Sequence, residues 1–331
     1  MRSSLPISLI WLVATGVIFA LQAIPFIGIF LMLALAMFWS VLLVNAAMIG
    51  TAIEALLGRV SRWWLVLPIA FYGGYWVAAA QDHRALRELA ASYDAANARV
   101  AIPFDPARQA LVFADQGAAA WLTQNYALSV AYSVNSNFPE GNLSHRMMDS
   151  AVCTKVREAP ALRSAFVHTF GFHDGDAIGS RQMEKRFCAL SMPERPTLSL
   201  VRVSQREEKI ALARLPVTRV TTTVTMPDGQ QFRLVGGVAA PLSWIPMPVM
   251  GCALSSGTPS WDCGAEFWRN DFTPIVSGNM RYGRDSVVLA RTLGLKPVAI
   301  ADRQGGDPAI VIAKIPQVEE ATLARQLASI D

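Results

Sequence analysis

Between Ser3 and Ile53 the chain contains no aspartate, glutamate, lysine, arginine or histidine. An uncharged run of roughly fifty residues excludes an ordinary water-facing surface there and holds enough apolar length for two bilayer crossings. Other absences narrow the chemistry. There is no Gly-x-Ser-x-Gly elbow, so no α/β-hydrolase nucleophile is marked. Neither a P-loop nor a Gly-x-Gly-x-x-Gly turn occurs, so no nucleotide or dinucleotide cofactor is expected. The cysteines form no Cys-x-x-Cys knuckle, which argues against zinc. A one-sided charge is also missing. Removing Arg2, Arg59, Arg62 and Glu54 from 29 basic and 25 acidic residues leaves 26 against 24, no footprint for nucleic acid.

What is present begins with that apolar block, which dominates the mean hydropathy of +0.33. Pro25 stops one helix and Gly28 permits a turn, so spans are expected near 6–23 and 26–50. A third uncharged stretch gives a span near 63–80, kinked at Pro68 or Gly73-Gly74. Arg2 precedes the first span and Arg59 and Arg62 lie between the second and third. The positive-inside rule then places the N-terminus in the cytoplasm and everything beyond Gln81 on the far side of a bacterial inner membrane. Trp63, Trp64, Tyr75 and Trp76 fall at the ends of the third span, where aromatic belts form. The first run leads straight into more apolar sequence, so a cleaved signal peptide is not expected. Small residues four apart (Gly16/Ala20, Ala46/Gly50, Ala70/Gly74) allow close helix packing.

All four cysteines follow the third span. An even number in the compartment assigned as periplasmic predicts disulfides, Cys252 with Cys263 around a small loop and then Cys153 with Cys188. A eukaryotic secretory membrane satisfies the same physics, and Asn142-Leu-Ser144 would there accept a glycan.

The expected fold class is an α-helical membrane domain of three transmembrane helices followed by an extracytoplasmic α/β to α+β domain with a β-hairpin. Residues 1–80 form the membrane domain. Residues 81–103 form a juxtamembrane helix whose Leu86, Leu89 and Tyr93 lie on one apolar seam, which either packs on its own domain or serves as a self-association contact. Residues 104–206 read as an α/β subdomain, with strands at 110–114, 127–134 and 197–203 and helices at 116–124, 145–158 and 177–190. Residues 207–331 read as mainly β. Asp228-Gly229 there turns a hairpin between 217–226 and 231–235. The end of the chain reads as a helix near 285–293, strands at 297–301 and 309–315, and a last helix at 318–330.

Two segments carry candidate sites. His168, His173, Asp174 and Asp176 crowd one loop and could ligate a divalent metal, although Ile178 and Lys185 break the calcium-loop pattern. Pro241–Met250 is strongly apolar yet proline-broken. Trp244, Met247 and Met250 make it an adaptable contact surface for a partner or the membrane interface, unless it simply completes a core. Apart from Gln22 at a span end, Asn45 is the one strongly polar side chain within the spans. A proton or ion path is therefore not expected. These readings point first to an inner-membrane assembly, scaffold or interaction subunit of a cell-envelope complex, and away from an enzyme. Its partners would be the lipid bilayer and other membrane or periplasmic proteins, with homo-oligomers admitted. The second reading is a membrane-anchored periplasmic enzyme or ligand-binding domain using the 168–176 loop.

Overall fold

In a computed structural model, the described residues are 5–35, 39–114, 116–126, 128–138, 140–158, 168–173, 183–254, 261–276, 286–299 and 302–313. The chain divides into two compact units. The first comprises Met1–Leu89, Ala211–Val217 and Ala239–Thr273; the second comprises Ala90–Ile210, Thr218–Val238 and Pro274–Asp331.

The first unit is helical with a small β ribbon. A 3₁₀ turn at Ile7–Leu9 leads into α1 (Ile10–Gln22), followed by α2 (Pro25–Leu35), α3 (Trp39–Leu56) and α4 (Val66–Asn97). The break after Gln22 falls where Pro25 removes a helical N–H, as expected. Of the span expected at 26–50, the described part comprises α2 (Pro25–Leu35) and the first turns of α3 (Trp39–Leu56). Among the described residues two helices, Trp39–Leu56 and Arg62–Asn97, are long and apolar enough to cross a membrane, while Ile7–Gln22 falls short. The expectation of three such helices is thereby reduced to two. Neither Pro68 nor Gly73-Gly74 interrupts α4, which runs unbroken for 32 residues into the stretch read as a juxtamembrane helix. Pro68 lies in its first turn, where no helical N–H is lost.

Strands β9 (Pro248–Leu254) and β10 (Trp261–Phe267) pair antiparallel, with Cys252 opposite Cys263 and disulfide-bonded to it. Loop 241–247 leads into this ribbon.

The second unit is built on a nine-stranded mixed sheet of order β11-β8-β7-β6-β1-β2-β3-β5-β4. In chain order the strands are β1 (Gln109–Phe113), β2 (Ala131–Val134), β3 (Asn142–Asp149), β4 (His168–His173), β5 (Met183–Pro193), β6 (Ser199–Leu212), β7 (Leu215–Thr225), β8 (Gln231–Ala239) and β11 (Thr273–Pro274). Helix α5 (Gln116–Tyr126) carries the crossover between the parallel strands β1 and β2. Helices α6 (Ser150–Glu158), α7 (Ser286–Thr292) and α8 (Pro308–Ile312) complete it. The hairpin β7–β8 turns at Asp228-Gly229, where Gly229 has φ 89°.

Four secondary-structure expectations are overturned, one of them the strand at 297–301, whose described residues 297–299 are irregular. Residues 145–149 belong to β3 rather than to a helix, which begins only at Ser150. The helix expected at 177–190 is replaced, from Met183 on, by β5. The strand expected at 309–315 is instead α8, started by the Asp307 side chain accepting from the Ala309 amide and by Pro308. The Cys153–Cys188 disulfide therefore joins α6 to β5, inside a core of Met148, Val152, Leu190, Met192 and Val311. Residues 318–330 lie outside the described residues.

Candidate functional site

The site assembles in the first unit, where loop 241–247 and β9 meet α3 and α4. Pro241 and Pro246 keep the stretch before β9 out of a continuous strand, so most of its carbonyls lack ladder partners. Every carbonyl from Ala240 to Pro248 nevertheless accepts a hydrogen bond. Helix side chains supply six. The Leu242 carbonyl accepts from His83 Nε2 at 3.0 Å, which fixes the Nε2–H tautomer. Tyr75 Oη donates to the carbonyls of Ser243 at 2.8 Å and Ile245 at 3.1 Å. Trp76 Nε1 reaches Trp244 at 3.2 Å, Asn45 Nδ2 reaches Pro246 at 3.1 Å and Ser40 Oγ reaches Pro248 at 2.9 Å. The remaining carbonyls, of Ala240, Pro241 and Met247, accept from Arg269 Nη1, the Asn270 amide and the Trp268 amide.

Two polar knots lock this arrangement. Asp82, almost wholly buried, accepts from the Leu242 amide at 3.2 Å and pairs with Arg269 Nη1 at 2.7 Å. Asn45 is itself oriented, because its amide also donates to Val41 and its Oδ1 accepts from Tyr72 at 2.9 Å. Aromatic packing completes the joint. The His83 ring stacks on Trp244 with centroids 4.5 Å apart and planes 6° from parallel, and Tyr75 lies 4.8 Å from Phe267. Tyr75, Ala79 and Leu242 form a small buried cluster. Beside it, Leu12, Phe19, Val44, Phe71, Met250 and Phe267 wall an apolar crevice of about 380 Å³.

At the far end of the ribbon, Trp261 Nε1 donates to the Gln22 carbonyl at 3.0 Å. Gly28 makes this approach possible, since a Cβ there would sit 2.6 Å from the Trp261 ring and against the Gln22 carbonyl.

The residues expected at the contact segment separate into two groups. Met247 and Met250 are half-buried, whereas Trp244 and Ile245 remain 56% and 70% exposed. Leu86 and Leu89 are half-buried on α4 and Tyr93 is buried. The backbone of His168 and His173 lies in β4, while Asp174 and Asp176 lie outside the described residues. Among the described residues no group of three or more histidine, cysteine, aspartate or glutamate side chains is placed to hold a metal.

Sequence reasoning did not single out His83, Asp82, Tyr72 or Arg269 as parts of one joint. The available signal was Asn45, the one side-chain amide in α3, set within an apolar stretch. The second unit holds one further polar row that the sequence hid. His145, buried in β3, lies between Ser133 Oγ at 2.8 Å on β2 and Ser191 Oγ at 2.7 Å on β5. Arg146 pairs with Glu194, both buried. Comparison with protein-family models, curated proteins and solved structures gives no match.

Proposed function

We propose that this chain is an inner-membrane protein, crossing the bilayer with α3 and α4, whose periplasmic part serves as an assembly or interaction subunit of a cell-envelope complex. The observation that carries the membrane placement is the complete satisfaction of nine consecutive carbonyls in a proline-broken segment. Irregular backbone at membrane depth is tolerated only where protein or enclosed water meets its polar groups. Disulfides at Cys153–Cys188 and Cys252–Cys263 fit an oxidising compartment for the polar part.

The same joint supports a contact role. Helix side chains grip the backbone of 242–248, and the large side chains of Trp244 and Ile245 are left bare. A rigidly held aromatic and aliphatic pair suits the anchor positions of an interface. The Arg59 and Arg62 loop lies at the cytoplasmic ends of α3 and α4 in this orientation. The experiment is gentle detergent extraction from the native host, followed by native sizing of wild type and Ile245→Glu. The wild type is expected to run as a complex with other envelope proteins, and the folded variant as a smaller species. A wild type that is extracted alone and monomeric overturns the interaction role.

A further inference from the structure

Helix α2 is apolar on every side, with no charged or strongly polar residue among its eleven. Phe26 is 83% exposed and Phe30 74%, so a protein core does not cover it. Such a helix normally sits inside a core or crosses a membrane. Its eleven described residues cover about 16 Å of a hydrocarbon core of about 30 Å.

The hydrogen bonds fix where its two ends lie. Glu54, near the end of α3, accepts from the Ile7 and Ser8 amides at 2.8 and 3.0 Å, which places the start of α1 beside the end of α3. Ser8 to Gln22 and Ser40 to Glu54 are equal lengths of chain, each about 21 Å along a helix. Gln22 and Ser40 therefore stand at the same level, opposite Glu54. The ribbon links the two positions: Trp261 at one end bonds Gln22, while Pro248 and Met250 at the other bond Ser40.

Helix α2 starts within three residues of Gln22 and must deliver the chain back to Trp39 within four residue steps of Leu35, a reach of about 14 Å at most. It thus enters and leaves at one face of the helix set and cannot reach the other. Trp261 packs over Gly28, so the ribbon roofs one side of α2. The bare Phe26 and Phe30 continue the uncharged surface of α1 and α3.

From this geometry we infer that α2 is a half-inserted segment, immersed among the acyl chains of the periplasmic leaflet beneath the β9–β10 ribbon and never crossing. This inference rests on the reading of α3 and α4 as spans, and the test separates the two. The full chain, reconstituted in phosphatidylcholine and phosphatidylglycerol vesicles, would carry one bimane label on an added cysteine, at Phe30→Cys or at Ile49→Cys near mid-α3. Phe26→Cys serves if Phe30→Cys does not fold. Lipids brominated near the glycerol or near the chain ends report label depth. The Phe30 label is expected to be quenched roughly twofold more by the shallow bromine, and the Ile49 label by the deep one, since segments of this kind sit about 5–10 Å below the headgroup boundary. A Phe30 label quenched as deeply as Ile49, or unquenched while Ile49 is quenched, overturns the half-inserted placement alone. Quenching at neither site overturns the spans themselves.

Discussion

The side-chain amide of Asn45 donates to the carbonyl of Pro246 at 3.1 Å, across 201 positions of sequence. A lone asparagine in an apolar helix is costly unless its amide is met by protein. Here it is met on three sides, by Val41, Tyr72 and Pro246. Asn45→Leu keeps the approximate volume but leaves the Pro246 carbonyl without its donor and the Tyr72 hydroxyl without its acceptor. The variant is expected to lose about 1–2 kcal/mol. Thermal unfolding in detergent micelles measures this, and an unchanged midpoint would count against the joint.

Asp82 holds two groups at once, the Leu242 amide and the Arg269 guanidinium. Asp82→Ala should cost about 3 kcal/mol, because it strands a cation that is three-quarters shielded from solvent. Removing Arg269 as well should cost less than the sum of the two single changes. A double-mutant cycle in denaturant reads the coupling; strict additivity of Asp82→Ala and Arg269→Ala would show that the pair does not act as a unit.

The ribbon β9–β10 has only two strands, a structure of marginal stability by itself. Its Cys252–Cys263 bridge closes a short loop and should contribute up to about 3 kcal/mol. Replacing both cysteines by serine is expected to make the 248–267 region the first cleaved in limited proteolysis. Equal cleavage patterns for wild type and variant would mean the helix contacts alone hold the ribbon.

Burial raises the phenol pKa of Tyr93, Tyr126 and Tyr132 above the ordinary value near 10. Because the folded protein keeps these protons longer than the unfolded chain, their contribution is intact below pH about 10 and is lost as pH rises through the folded values. Stability should thus fall on the alkaline side, with tyrosinate absorbance appearing together with unfolding. Full ionisation in a protein that remains folded would refute the burial of these rings. At the surface, Arg219 beside Glu208 lowers that carboxyl, so the pair's stabilisation fades as pH falls through the Glu208 value.

How much of this was legible in the sequence varies by element. The helix break at Pro25, the Asp228-Gly229 hairpin and the cysteine pairing follow from local chemistry or spacing and are found in the fold. Strands β3 and β5 were not legible. Asn142-Leu-Ser-His-Arg-Met-Met is rich in helix formers and buried on both faces, so no alternation marks it. Its pairing with β5, such as Met148 with Cys188, is settled by residues forty positions away. The joint at 240–248 was half legible. Its prolines and apolar side chains announce a special segment, but its partners are backbone carbonyls, which every sequence has. Only the helix side chains that meet them could have been read, and Tyr75 and Trp76 had a sufficient explanation as a belt.

The orientation of the two apolar helices is the claim on which the rest stands. It is tested by single added cysteines in spheroplasts, the four native ones being disulfide-bonded. A membrane-impermeant maleimide is expected to label Gln230→Cys in intact spheroplasts and Arg59→Cys only after lysis. Labelling of Arg59→Cys in intact spheroplasts, with Gln230→Cys protected until lysis, would contradict the account.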